Sequence, residues 1–310
     1  MSITSLKLAS AELMSHSKTN SDETKYPNGF AAMSFERIKS AILEDELCFQ
    51  YQPEVDLATG EILGFEALVR WNHPEHGLLS PAAFLPAIEM HSLQSELGRW
   101  GIDTALQQLS SWSKQGIDTS VSVNISPSYL ASDGFVTDLE CAFVKNTNVS
   151  PSRLGLELLE SSEIESMSIA LNAMKKASDV GVWFAIDDFG TGYSSLSYLR
   201  ELPSNLIKID KSFVSGMCKD VADLKIVSAI VGLSKALGKR VIAEGVETQA
   251  HCDALLSVGC NLAQGYGIAR PMSAARVTAW ISKYSSSEVG ATNRRLSTVD
   301  LKSSYSMATI

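Results

Sequence analysis

The segment Gly64-Phe65-Glu66-Ala67-Leu68-Val69-Arg70-Trp71 sets a carboxylate and a guanidinium four residues apart at the end of an apolar, strand-like run. One such segment proves little, but the arrangement recurs downstream: a short apolar run ends in a group that can bind a metal or move a proton. The further runs are Val121-Ser122-Val123-Asn124, Leu156-Glu157, Phe184-Ala185-Ile186-Asp187-Asp188, Ile207-Lys208-Ile209-Asp210, Val241-Ile242-Ala243-Glu244 and Ala263-Gln264. Glu66, Asn124, Glu157, Asp187, Asp188 and Glu244 are hard oxygen ligands, the type that suits Mg²⁺ or Mn²⁺ and does not select zinc. Gathered in one place, so many carboxylates repel one another, and cations relieve that repulsion. Two ions sharing a bridging carboxylate can activate water and steady a leaving oxygen during in-line attack on a phosphodiester. Asp187 and Asp188 are the natural bridging pair. Lys208 is suited to hold the attacking water, to stabilise developing charge, or to accept a proton if nearby cations lower its pKa. Arg70 offers a planar fork for a pair of phosphate oxygens.

Plainer readings compete with each of these. A single acidic residue after an apolar run is more often a solvated strand end or a helix cap. That account fails for the whole set in register. Lys208 has a structural alternative in an ion pair with Asp210, and Arg70 in a pair with a neighbouring carboxylate. His73 and His76 flank Pro74 in a turn, and His251 adjoins Cys252. None has the spacing of a metal ligand set, so structural or exposed roles are expected.

Between the runs lie stretches with helical apolar spacing: Leu97, Trp100, Ala105 and Leu109; Ile164, Ile169, Leu171 and Met174; Leu224, Ala229, Ile230, Leu233 and Leu237. Alternating strand and helix predicts a parallel sheet covered by helices. An open doubly wound sheet concentrates its site at one switch point, whereas a (β/α)8 barrel collects residues from the C-terminal ends of many strands. With about seven strand ends carrying polar groups, the barrel is the expected α/β architecture. Alternate strand residues share a face, which puts Lys208 and Asp210 on one side. Adjacent Asp187 and Asp188 must diverge unless their strand has ended, and Gly190-Thr191-Gly192 suggests that it has.

The chain of 310 residues is expected to hold one barrel, from about residue 35 to 284. Residues 1–34 read as a flexible leader or linker remnant, and 285–310 as a disordered Ser-rich tail. No 18-residue apolar span and no secretory signal is seen, so cytoplasmic residence is expected. Five cysteines without C-x-x-C spacing read as free thiols in a reducing compartment. A net charge of -9 argues against binding long nucleic acid, but not against a small anion brought in by metal ions.

These residues resemble the EAL-domain family, cyclic di-GMP phosphodiesterases built on a modified (β/α)8 barrel of the TIM type. The likeness runs from about Phe35 to Lys283 and rests on many motifs in order. They are Tyr51-Gln52-Pro53, Glu66-Ala67-Leu68 with Val69-Arg70-Trp71, Val123-Asn124-Ile125-Ser126, and Glu157-Leu158-Leu159-Glu160-Ser161. They continue with Asp187-Asp188-Phe189-Gly190-Thr191-Gly192-Tyr193-Ser194-Ser195-Leu196, Ile207-Lys208-Ile209-Asp210, Ala243-Glu244-Gly245-Val246-Glu247-Thr248, and Gln264-Gly265-Tyr266 before Pro271.

The resemblance implies that Glu66, Asn124, Glu157 and Asp187 surround one divalent cation, with Asp187 bridging to a second held also by Asp188 and Glu244. It assigns catalysis to Lys208, Glu66 and Glu244, and substrate contacts to Gln52, Arg70, Asp210, Gln264 and Pro271. Glu160 and Glu247 become supports of the Asp-Asp-Phe-Gly loop, which the family links to metal binding and dimer contacts. The implied reaction opens cyclic di-GMP to linear pGpG with two Mg²⁺ or Mn²⁺ ions, with Ca²⁺ inhibitory. The rival function is a non-catalytic cyclic di-GMP receptor. A homodimer and an upstream sensor domain or partner are further expectations. Leu159, where the family often has Thr, and Gly267-Ile268-Ala269-Arg270 depart from the usual pattern. The first lacks the hydroxyl with which Thr would support the loop; the second bears on the guanine pocket.

Overall fold

The central strands are short and buried on both faces, as strands enclosed between a barrel interior and a coat of helices must be. Leu206–Ile209 and Leu262–Gln264 are buried at every residue. The structure, a computed structural model, describes residues 34–89, 92–160, 167–192 and 196–286. Of the leader expected over residues 1–34 only Ser34 is described, as the cap of the first helix, and most of the expected tail lies outside the described residues.

Helix α1 (Phe35–Leu43) precedes strands β1 (Leu47–Asp56), β2 (Ile62–His73) and β3 (Gly77–Leu79). Helix α2 (Leu93–Lys114) leads to β4 (Val121–Asn124), then α3 (Pro127–Leu130) and α4 (Phe135–Lys145). Strict alternation follows: β5 (Leu154–Leu159), α5 (Met167–Asp179), β6 (Trp183–Phe189), α6 (Leu196–Glu201) and β7 (Leu206–Ile209). Helices α7 (Lys211–Gly216) and α8 (Val221–Ala236) come before β8 (Arg240–Ala243), α9 (Gln249–Ser257), β9 (Leu262–Gln264), β10 (Met272–Ser273) and α10 (Ala274–Ser286). The last helix runs two residues into the segment expected to be tail.

Eight strands close into a barrel in the order β1-β9-β8-β7-β6-β5-β4-β2 and back to β1. Seven are parallel in the ring, while β1 runs antiparallel to both β2 and β9. The seven parallel strands are the seven polar-ended runs of the sequence. The antiparallel eighth, β1, was not among them; with Gln50, Gln52, Pro53 and Glu54 it lacks an apolar run.

The main core lies between barrel and helices. Trp112 of α2 meets Tyr51 and Phe65 at ring-centroid distances of 4.8 and 5.6 Å, which locks the long helix onto β1 and β2. Ala185, Leu206, Ile242 and Leu262 form a separate apolar cluster. Helices start where side chains cap them: Ser126 on α3, Asp220 on α8 and Thr248 on α9 each accept a backbone N–H.

Candidate metal and phosphoester site

Lys208 organises the mouth of the barrel. It has no exposed surface, and its Nζ lies 2.6 Å from Glu244, 2.8 Å from Glu157, 3.1 Å from Glu66 and 3.3 Å from Asp187. Four strands, β2, β5, β6 and β7, and the residue after β8 thus deliver one ammonium and four carboxylates to one point. Asp210 is not its partner. It lies just past the end of β7, caps α7 by accepting the Ser212 N–H at 2.9 Å, and faces Asp188.

Two acidic triads overlap there. Glu66, Glu157 and Asp187 form one, and Asp187, Asp188 and Glu244 the other, each with ligand oxygens within 4.8 Å of one another. Asn124 extends the first by donating its amide N–H to Glu66 Oε1 at 3.0 Å. Among the described residues Glu157 Oε1 is buried without a hydrogen-bond partner. A buried carboxylate oxygen left open beside three other acids fits a cation site, since such atoms are otherwise paired.

Asp187 and Asp188 reach the same triad through a device that the sequence reading did not foresee. Their strand continues to Phe189, but one extra residue is inserted between the pairs Ile186–Ile207 and Phe189–Ile209. Asp188 takes up this bulge at φ 52°, in the left-handed region that Asp tolerates better than most residues. Adjacent side chains that would point to opposite faces are thereby both directed to the mouth.

The charges are strongly interdependent. Burial would pull the Lys208 ammonium down, but Asp187, Glu157, Glu244 and Glu66 outweigh it and hold the pKa well above the ordinary lysine value. Burial raises Glu157 and Asp187, and pushes Glu244 up to about 8. Glu66 differs: burial acts upward, yet Lys208 and hydrogen bonds from Gln264 and Asn124 leave it below the usual range. Burial, with the charges of Asp187 and Asp210, pushes Asp188 up to about 6.

Glu66, Asp187, Glu244, Gln52, Gln264 and Lys211 line a cleft of about 360 Å³. Gln264 donates to Glu66 Oε2 at 2.7 Å and to Gln52 Oε1 at 3.2 Å, while Gln52 donates to the Ala269 carbonyl at 3.1 Å. This chain ties β1, β2 and β9 to the loop that ends at Pro271, the residue before β10. Half-buried Arg70 follows Glu66 and Leu68 on one face of β2, its guanidinium aimed by Gln50 and the Val69 carbonyl. Beside Asn124 opens an apolar cavity of about 340 Å³ lined by Pro81, Leu85, Ile88, Leu97 and Ile125.

Glu160, just past β5, accepts the Gly190 and Gly192 N–H groups at 2.8 and 2.9 Å, and so fastens the loop after Asp188. Glu247 is exposed on the cleft wall; among the described residues its side chain makes no hydrogen bond to that loop. His73 Nδ1 accepts the Glu75 and His76 N–H groups, and His251 Nδ1 accepts the Glu247 N–H; both are structural. The sequence reading missed Lys211, the residue after Asp210, which lines the cleft. It also missed Glu54, buried two residues after Gln52 and therefore on the same strand face.

The model of the EAL domain matches residues 36–271. The bifunctional diguanylate cyclase/cyclic di-GMP phosphodiesterase MucR of Pseudomonas aeruginosa is 39% identical over 246 residues, which cover 79% of this chain and 36% of that protein. A second protein of that organism, named a cyclic di-GMP phosphodiesterase, is 37% identical over 233 residues, covering 75% and 40%. This chain therefore spans well under half the length of either relative. A solved PaMucR phosphodiesterase in complex with c-di-GMP aligns with TM-score 0.73 and 40% identity, covering 78% of this chain and 98% of that one.

Proposed function

Since this chain belongs to the EAL-domain family, we propose that it is a divalent-metal-dependent phosphodiesterase that hydrolyses cyclic di-GMP to linear pGpG. The observation that carries this reading is the pair of acidic triads sharing Asp187 around the buried Lys208.

Glu66, Asn124, Glu157 and Asp187 would hold one Mg²⁺ or Mn²⁺, and Asp187, Asp188 and Glu244 the other. When bound, such ions supply the Lewis acidity that readies water and steadies a leaving alkoxide. The chain's own groups do the rest. Lys208 Nζ orients the attacking water in a dry site, where a fixed cation acts more strongly than in solvent. Arg70 takes a phosphate oxygen pair. Gln52, Asp210, Gln264 and Pro271 are assigned to the nucleotide, and the apolar cavity beside Asn124 suits a flat base. Water adds to phosphorus, the P–O3′ bond breaks, and the 3′ oxygen leaves with a proton, giving a 5′-phosphate. Glu160 and Glu247 are assigned to support of the loop after Asp188.

A homodimer formed through that loop, and control by an upstream sensor, belong to the same proposal; light scattering tests the first. Ca²⁺, with its looser coordination, is expected to bind without supporting turnover. No described helix is long and apolar enough to cross a membrane.

The decisive experiment follows cyclic di-GMP by chromatography with Mg²⁺ or Mn²⁺ and with a chelator. Metal-dependent pGpG supports the enzyme. Tight binding without product favours the receptor reading instead.

A further inference from the structure

Glu54 is a buried acid, 4% exposed, to which the reaction above gives no task. It sits on β1 in direct register with Gln264 of β9 and with Gly64 of β2. Residues paired across antiparallel strands leave the sheet on the same face with their Cβ atoms about 5 Å apart. Gln264 faces the cleft, so Glu54 faces inward beside it.

The hydrogen-bond inventory of Gln264 is lopsided. Its Nε2 carries two hydrogens, directed to Glu66 Oε2 at 2.7 Å and Gln52 Oε1 at 3.2 Å. Turning the amide over would set its oxygen against the Glu66 carboxylate, so this orientation is fixed. Among the described residues Gln264 Oε1 is then a buried acceptor without a donor, and Glu54 Oε1 is a second. Two unpaired acceptors on directly opposed residues lack one hydrogen between them, and leaving both open is costly.

We propose that Glu54 is a positioning residue that donates a hydrogen bond from its carboxyl O–H to Gln264 Oε1, and so holds Gln264 against Glu66. The proposal rests on the assignment of Glu66 as a metal ligand. A protonated Glu54 satisfies both orphaned oxygens at once. It also adds no charge to a site already crowded with carboxylates. Burial, the largest influence on Glu54, favours the un-ionised acid against the opposing charge of Lys208. An outer hydrogen bond of this kind fixes the ligand's orientation before any cation arrives.

The test compares Glu54→Gln, which keeps a donor of the same shape, with Glu54→Met, which keeps the volume and loses the donor. Calorimetric titration with Mn²⁺ is expected to show Met weakening affinity about 10- to 100-fold and Gln holding it within about threefold. Equal loss in both variants would mean that the charge of Glu54 matters, and unchanged affinity in Met would mean that it positions nothing; either overturns the proposal. Should the Met variant not fold, infrared difference spectra of the Mg²⁺-loaded wild type against Glu54→Gln decide. A carbonyl band of an un-ionised carboxylic acid, lost in the variant, is expected, and its absence refutes the hydrogen bond. Neither readout needs turnover, so a failure of the phosphodiesterase reading is seen separately, in the product assay.

Discussion

Asp187 and Asp188, neighbours in sequence on a β-strand, hold their carboxylates in one triad with Glu244 because a bulge with Asp188 at φ 52° turns the second residue back to the mouth. The backbone conformation here decides where the second carboxylate points. A left-handed conformation costs an ordinary side chain roughly 1–2 kcal/mol, and Asp and Asn less. Asp188→Asn should therefore keep the fold and lose a charged ligand, whereas Asp188→Ala should lose both ligand and ease of the turn. Calorimetry with Mn²⁺ should show stoichiometry falling from two sites toward one in both, with a lower melting temperature only in Ala.

Lys208 holds four carboxylates together, so its replacement is expected to be felt before any chemistry. Lys208→Met leaves buried acids unpaired, which should cost the metal-free protein about 3–5 kcal/mol. Mg²⁺ should recover part of that loss, and turnover should fall by at least about 10²-fold. Denaturant titrations with and without Mg²⁺ check the first claim. Equal metal effects on wild type and variant would show that the lysine and the cations do not answer the same repulsion.

Glu160 carries the loop through two backbone N–H groups, Gly190 and Gly192. Glu160→Ala should lower turnover roughly 10- to 100-fold. Glu160→Gln, which retains one acceptor oxygen, should fall between. Steady-state rates beside melting curves separate a loop effect from general unfolding, since global stability should change little.

Glu46 ties α1 to β2. It accepts Arg37 Nη2 at 2.6 Å and the buried Trp71 Nε1–H at 2.7 Å. Burial acts upward on its pKa, but the Trp71 and Arg37 hydrogen bonds prevail and hold it below the ordinary carboxylate value. A depressed folded-state pKa contributes stability that is fully present above the unfolded value, near 4.5, and lost as pH falls through the folded one. Glu46→Gln should therefore be less stable than wild type at pH 7, the gap closing below about pH 4. Urea midpoints across that range test it; a constant gap would remove the charge from the explanation.

The sequence by itself determined which groups the parallel strands would bring to the site, though not Glu54 or Lys211. The parallel strands are short enough to announce themselves as apolar runs, and each ends in its functional group, so Glu66, Asn124, Glu157, Asp187, Lys208, Glu244 and Gln264 were all legible. Other features required contacts between residues far apart in the chain. β1 was hidden because its inward positions are Gln52 and Glu54, which erase the apolar run; its antiparallel direction follows from the short turn, residues 57–61, that joins it to β2. The partners of Lys208 were undecidable between Asp210, two residues away, and acids up to 142 residues distant, Glu66 being that far; barrel closure chose the distant ones. The bulge at Asp188 depends on register against β7, and the buried Glu54–Gln264 pairing on register against β9. Side-chain chemistry is written residue by residue, but direction, register and burial are properties of strands meeting, and these the tertiary structure decided.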